Sequence, residues 1–227
     1  MTEAIKIRIG GTNIYLLQSE FNFYVMIDTP ISTGKNKLLQ KLSHYGISPS
    51  QIKLIIITHS HTDHTGSLAF LKELTGAKVI AQQKAAAYIE MGRSAQPVLT
   101  NQFLNKLADK YLSRHPEFNK FEPVKTDIIF NEEYELSEWG IKGKIISTPG
   151  HSKGSSTIIL EEDVSFVGDA LFNISPFTIT PPIIEDKAEL HKSWQKMIKS
   201  SSQYFYPGHG PRISRQRFLK AIKKASK

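Results

Sequence analysis

The stretch from Leu54 to Gly66 constrains this chain more than any other. It opens with four consecutive apolar residues, Leu54, Ile55, Ile56 and Ile57. The absence of polar alternation predicts a short strand, Leu54 to Thr58, buried on both faces. Directly after it come His59, His61, Asp63 and His64. Core packing has no use for three imidazoles and a carboxylate at the end of a buried strand. A metal ion does, because imidazole and carboxylate suit zinc and its first-row neighbours. In extended backbone the side chains at i and i+2 point the same way, so His59 and His61 can reach one ion from one side. The chain must then turn into a helix near Thr65, and Gly66 permits the close backbone approach that the turn needs. That turn re-aims Asp63 and His64 towards a second, adjacent position.

The remainder of the chain reads as an α/β rhythm. Strands are expected at Ala4 to Ile9, Asn13 to Leu17, Phe23 to Ile27 and Lys78 to Ala81. More follow at Asp127 to Phe130, Glu133 to Leu136, Gly143 to Ser147, Ser156 to Leu160 and Val164 to Val167. Helices are expected over Lys35 to Tyr45, Ser67 to Leu74 and Asp186 to Ile198, the last opening on a near capping box of Asp186 and Glu189. Between 82 and 122 the pattern predicts an inserted helical pair. One helix begins at Ala85; the other runs from Val98 to Leu112, with Leu104, Leu107, Ala108 and Tyr111 apolar. Such an element covers a site or simply packs. Two strand-rich halves suggest two sheets packed together with helices outside. The 227 residues suffice for a sizeable core. There is no cysteine, which excludes disulfides, thiolate ligands and cysteine nucleophiles, and leaves only His, Asp or Glu to hold a metal.

Three further ligand-type side chains stand in turns that follow strands: His151 after Pro149 and Gly150, Asp169 after Gly168, and His209 between Gly208 and Gly210. With His59, His61, Asp63 and His64 they complete a pattern, in order along nearly the whole chain, that resembles the metallo-β-lactamase-fold hydrolases. Ile27, Asp28 and Thr29 also match a family motif, with Pro30 standing where the family usually has glycine. The resemblance implies an αββα sandwich, a single domain over residues 1–227 with a helical insertion around 82–122. It implies that His59, His61 and His151 bind one metal and that Asp63, His64 and His209 bind a second. Asp169 would bridge both with a water or hydroxide, Asp63 would orient that hydroxide or carry a proton, and Asp28 would support the ligand loop. The cofactor expected is a pair of divalent ions, zinc first, with manganese or iron as alternatives.

The function implied is metal-assisted hydrolysis of an ester, thioester, lactone or lactam of a small molecule. Gly168 to Phe172 is similar to thioesterases of the glyoxalase type, although those carry a longer basic C-terminal region for glutathione and only 18 residues follow His209 here. Phe172 and Phe177 could line a substrate wall or merely pack. A nuclease or phosphodiesterase acting on RNA or DNA is the alternative within the same fold. Redox relatives with two irons commonly have glutamate in place of His61. His44, His115 and His191 read as surface residues.

The formal net charge is +8. Part of it sits in a tail with Arg212, Arg215, Arg217, Lys220, Lys223, Lys224 and Lys227 and no acid. A C-terminal helix with a solvated basic face accounts for this. Phe218 is the single aromatic residue among these charges, too few for a row of stacking platforms, which disfavours nucleic acid as partner. The opening residues lack the pattern of an export signal, and no apolar run reaches the length of a membrane span. The expectation is a cytoplasmic enzyme with no membrane contact, for which β-lactam resistance is not the role.

Overall fold

The computed structural model describes residues 4–95, 98, 106, 110, 113–115, 119–161 and 163–225. Its centre is a pair of six-stranded sheets. The first holds β1 (Ala4–Ile9), β2 (Thr12–Gln18), β3 (Tyr24–Ile27), β4 (Ile52–Ile57), β5 (Lys78–Gln82) and β6 (Ile128–Phe130), in that spatial order. β1, β2 and β3 pair antiparallel, and β3 through β6 pair parallel. The second holds β7 (Glu133–Glu135), β8 (Gly143–Ser147), β9 (Ser156–Leu160), β10 (Val164–Gly168), β11 (Tyr204–Pro207) and β12 (Ile213–Ser214). Its spatial order is β12-β11-β10-β9-β8-β7, and only β10 and β11 run parallel.

Strand periodicity explains why β4 carries an unbroken apolar run. Leu54 and Ile56 face the gap between the sheets, where they meet Val25, Ile27, Ile145, Ile158 and Phe166. Ile55 and Ile57 face the other way, into a core shared with the first sheet's covering helices. Those helices are α1 (Lys35–His44), α3 (Leu68–Thr75) and α4 (Gln83–Glu90), which bury Leu38, Leu42, Leu68, Leu71 and Ile89 there. A third core lies outside the second sheet. There α5 (Lys187–Ile198) and α6 (Arg215–Ala225) pack Leu190, Trp194, Met197, Phe218 and Ile222 over Val167 and Phe205. Each such side chain taken from water contributes about 1.5–3 kcal/mol. The layers therefore run helix, sheet, sheet, helix, as the sequence leads one to expect.

Local signals behave as they should. α3 stops at Gly76, whose φ of 67° is the left-handed cap that glycine adopts without strain. α5 starts at Asp186, whose carboxylate accepts from the Glu189 amide at 3.0 Å. Two expectations need adjustment, and a third falls largely outside the described residues. The turn after β4 becomes a one-turn helix, α2 (Thr62–Thr65), starting earlier than Thr65. β12 is an additional two-residue strand. Of the helical pair, α4 is present, but Val98 to Leu112, with Leu104, Leu107, Ala108 and Tyr111, lies almost entirely outside the described residues. Among the described residues no helix is long and apolar enough to cross a membrane.

Candidate metal centre

Five strands deliver their C-terminal ends to one edge of the two sheets. β3 runs into Asp28, β4 into His59 and His61, β8 into His151, β10 into Asp169 and β11 into His209. α2 then turns Asp63 and His64 back onto the same spot. That tight turn needs Gly66, where a Cβ would meet the Thr62 carbonyl oxygen at 2.6 Å and the Ser32 amide at 2.7 Å.

All seven residues expected as ligands converge. His59, His61 and His151 form one group of mutually close ligand atoms, and Asp63, His64 and His209 form another. His61 Nδ1 and His151 Nε2 are 2.9 Å apart. On the other side, His209 Nε2 lies 3.1 Å from Asp63 Oδ2 and 3.4 Å from His64 Nε2. Asp169 stands between the groups, with Oδ1 3.6 Å from His64 Nε2 and Oδ2 3.9 Å from His151 Nε2. His44, His115 and His191 take no part in either group.

The hydrogen bonds behind the ligands fix which nitrogen faces inward. The Thr58 hydroxyl donates to Asp28 Oδ2 at 2.7 Å, so its oxygen accepts from His59 Nδ1 at 3.0 Å. His64 Nδ1 donates to Asp28 Oδ2 at 2.8 Å, His151 Nδ1 to the Ile183 carbonyl at 2.8 Å, and His209 Nδ1 to the Gly11 carbonyl at 3.1 Å. With four Nδ1 atoms committed as donors, four Nε2 atoms point into the centre. Buried His59 Nε2 and Asp169 Oδ1 have no hydrogen-bond partner at all. Leaving such atoms unpaired in the interior is costly, and a cation between them removes the cost. The donor set is all nitrogen and oxygen, which fits a divalent ion such as zinc.

The electrostatics divide the centre in two. Burial and the neighbouring His151 lower the His61 pKa to about 3. Burial likewise pushes His59 and His151 down. In the second group burial also opposes charge, but Asp63, Asp28 and Asp169 outweigh it and raise His64 to about 9. Burial is outweighed again at His209, where bonds to Asp169 and Asp63 raise the pKa to about 10. Burial would raise the Asp63 carboxyl, yet His64 and His209 hold it well below the usual carboxylate range. Without metal, protons occupy the second group and leave the first neutral.

A cavity of about 260 Å³ opens beside the cluster, its lining completed by Ser94, Asn119, Phe172, Pro182 and Ile183. Phe172 stacks near His209, with ring centroids 4.6 Å apart, as the wall reading expects. Phe177 does not join it: its ring is 89% exposed and belongs to another groove. The chain between Phe172 and Phe177 runs away from the centre, so the wall closes with Pro182 and Ile183 instead. Two residues of the surrounding frame lie outside the sequence motifs. Thr12 Oγ1 donates to Asp63 Oδ2 at 3.2 Å, and Asn13 Nδ2 donates to the carbonyls of Pro207 and Gly210 at 2.9 and 2.8 Å. In sequence they read as the junction where the Gly10-Gly11 turn enters a strand, and only the pairing of Thr12 with His209 across the sheets reveals their place.

A buried polyhistidine cluster at one edge of an αββα sandwich defines a class, and comparison names the family. Residues 7–209 match the model of the metallo-beta-lactamase superfamily, and the chain belongs to it. A probable metallo-hydrolase of Methanocaldococcus jannaschii is 28% identical over 204 residues, covering 88% of each chain. A beta-lactamase-like protein 2 homolog of Drosophila melanogaster is 27% identical over 206 residues; the match covers 89% of this chain and 59% of that protein's length. A hydroxyacylglutathione hydrolase of Chelativorans is 24% identical over 97% of this chain and 70% of its own. The solved structure of the B3 metallo-beta-lactamase BLEG-1 superposes with a TM-score of 0.73 at 21% identity, covering 100% of both chains.

Proposed function

We propose that this chain is a hydrolase that holds two divalent cations, zinc by its donor chemistry, and cleaves an ester, thioester, lactone or lactam of a small molecule. The observation that carries the reading is the set of inward-facing Nε2 atoms, each fixed by a bond from the opposite ring nitrogen. His59, His61 and His151 would hold one ion, Asp63, His64 and His209 the other, and Asp169 both. When bound, such a pair supplies Lewis acidity and a water whose pKa is brought near 7.

The chain's own groups do the rest. Asp28 and Thr58 hold the rings of His64 and His59 in place, so little reorganisation is needed on loading. Asp63 is the least buried of the seven and faces the cavity, where its carboxylate can orient a water and take its proton. Phe172, Pro182 and Ile183 supply an apolar wall against which an acyl group can rest. A cavity of about 260 Å³ suits a small acyl portion better than a nucleic-acid strand. The Chelativorans relative, named for thioester hydrolysis, supports thioesters among the four bond types. The test is metal analysis followed by a screen of thioester, lactone, lactam and phosphodiester substrates, using His61→Ala and Asp169→Ala with and without added zinc or manganese. Activity surviving both substitutions would sink the reading.

A further inference from the structure

The basic tail does not stay a uniformly solvated face. Arg215 turns inward and donates to the carbonyls of Ile198, Ser200 and Ser202 at the end of α5. Arg217 donates to the Ser175 and Pro176 carbonyls at 2.9 and 3.3 Å, tying α6 to the segment 172–184. Beyond it, Lys220 and Lys224 line a groove of about 430 Å³ together with Lys187 and His191 of α5. Four permanent cations and a histidine thus border one concavity, and none of its lining residues is acidic. The acids of α5 and its approach are engaged elsewhere: Glu185 pairs with Lys153, Glu189 with Lys192, and Asp186 caps the helix. Among the described residues none of Lys187, Arg217, Lys220 or Lys224 has a carboxylate partner. At the rim stands Phe177, its ring 89% exposed.

Like charges gathered in a concavity repel one another unless an anion joins them. The groove volume falls in the range of small-molecule sites, and Arg and Lys in fork and point geometry are the usual holders of phosphate. An exposed aromatic face beside them can stack on a planar base. We propose that this groove binds the phosphate groups of a nucleotide-sized ligand, of the chemistry of a nucleoside diphosphate, with Phe177 against its ring. A nucleic-acid strand is the poorer occupant, since Phe177 is the single Phe, Tyr or Trp in the lining and strand binding uses a row of stacking platforms. The site is separate from the metal centre, but it shares a structural strap with it. Segment 172–184 lines the groove in its middle, while Phe172 and Ile183 contact His209 and His151 at its two ends.

The test is calorimetric titration of the zinc-loaded chain with ADP, for the native protein and for Lys220→Glu with Lys224→Glu. Both lysines are exposed, and melting temperature and zinc content of the variant check that the fold is intact. Saturable binding by the native chain, weakened about tenfold or more by the double reversal, is the expected result. Lys37→Glu with Lys41→Glu on the exposed face of α1 should leave binding unchanged. Four results would overturn the proposal: no binding by the native chain, binding that survives the groove reversal and so belongs at the metal ions, equal loss in the α1 control, or tighter binding of a single-stranded oligoribonucleotide than of ADP.

Discussion

His59, His61 and His151 meet without a carboxylate of their own, whereas His64 and His209 meet beside Asp63, and His64 also rests on Asp28. The same imidazole therefore takes opposite states across a few ångströms. In the first triad burial and mutual repulsion keep the rings neutral, with His61 at about 3. In the second, carboxylates hold protons on rings that burial would strip, up to about 9 on His64 and about 10 on His209. The neutral triad is ready for a cation at any physiological pH. The acidic triad offers more negative charge to a cation but must first release protons. In the proposed two-ion centre the two positions should load with different pH dependence, although four of the seven proposed ligands come from one short motif.

The largest effect should come from the residue that belongs to both sides. Asp169→Ala is expected to lower turnover on whichever probe ester is active by at least about a hundredfold and to reduce bound metal in both positions. His61→Ala and His64→Ala then separate the halves. Each should lose one metal equivalent while keeping the other, read by elemental analysis after dialysis. If both variants lose all metal, the two triads form one inseparable site and the contrast between them fails. Asp28→Asn sharpens it further. It preserves shape but weakens the acceptor for His64 Nδ1 and Thr58, so affinity in the second position should fall about 10–100-fold, and by less in the first, which Asp28 reaches only through Thr58 and His59. Competition against a chelator measures this directly.

Proton release gives the pH version of the same contrast. Loading the metal-free chain at pH 7.5 should expel protons from His64 and His209 and almost none from His59, His61 and His151. Titration calorimetry in buffers of different ionisation enthalpy counts them. The stability of the metal-free fold follows with a definite sign. His64 and His209 have folded values raised above the ordinary 6.5, so their contribution is complete below that value and is lost as pH rises through about 9 to 10. Metal-free protein should therefore melt at a lower temperature at pH 10 than at pH 7. The reverse order would mean that the carboxylates do not hold those protons.

How far the chain could be read before folding follows the same division between chemistry and packing. The seven candidate ligands stood out because His and Asp at buried strand ends have no packing role. The four layers followed from runs such as Leu54 to Ile57, whose two faces each find a core. Thr12 and Asn13 gave no such signal, because small polar residues are ordinary where a Gly10-Gly11 turn enters a strand. Their function arises only when β2 is brought against the loop that follows β11. Phe177 escapes a sequence reading for a related reason. Proximity in sequence to Asp169 suggested the substrate wall, but the backbone carries it out to α6. The basic groove was illegible because Lys187 and His191 are far in sequence from Lys220 and Lys224, and only the packing of α5 against α6 joins them.

The smallest predicted effect is also the finest probe of the acidic half. Thr12 is buried, and its hydroxyl donates to Asp63 Oδ2 at 3.2 Å. Thr12→Val keeps the shape and removes the donor. A hydrogen bond to a charged acceptor contributes about 1.5–3 kcal/mol when short, and less at this length, so kcat/KM should fall about three- to tenfold. A donor to the ionised carboxylate favours its charged form, so losing it raises the Asp63 pKa. The acid limb of the pH–rate profile should then move to higher pH, while metal content stays at the native value. A uniform drop in rate with an unmoved limb would assign Thr12 to the scaffold alone, and the proton-carrying role would have to leave Asp63.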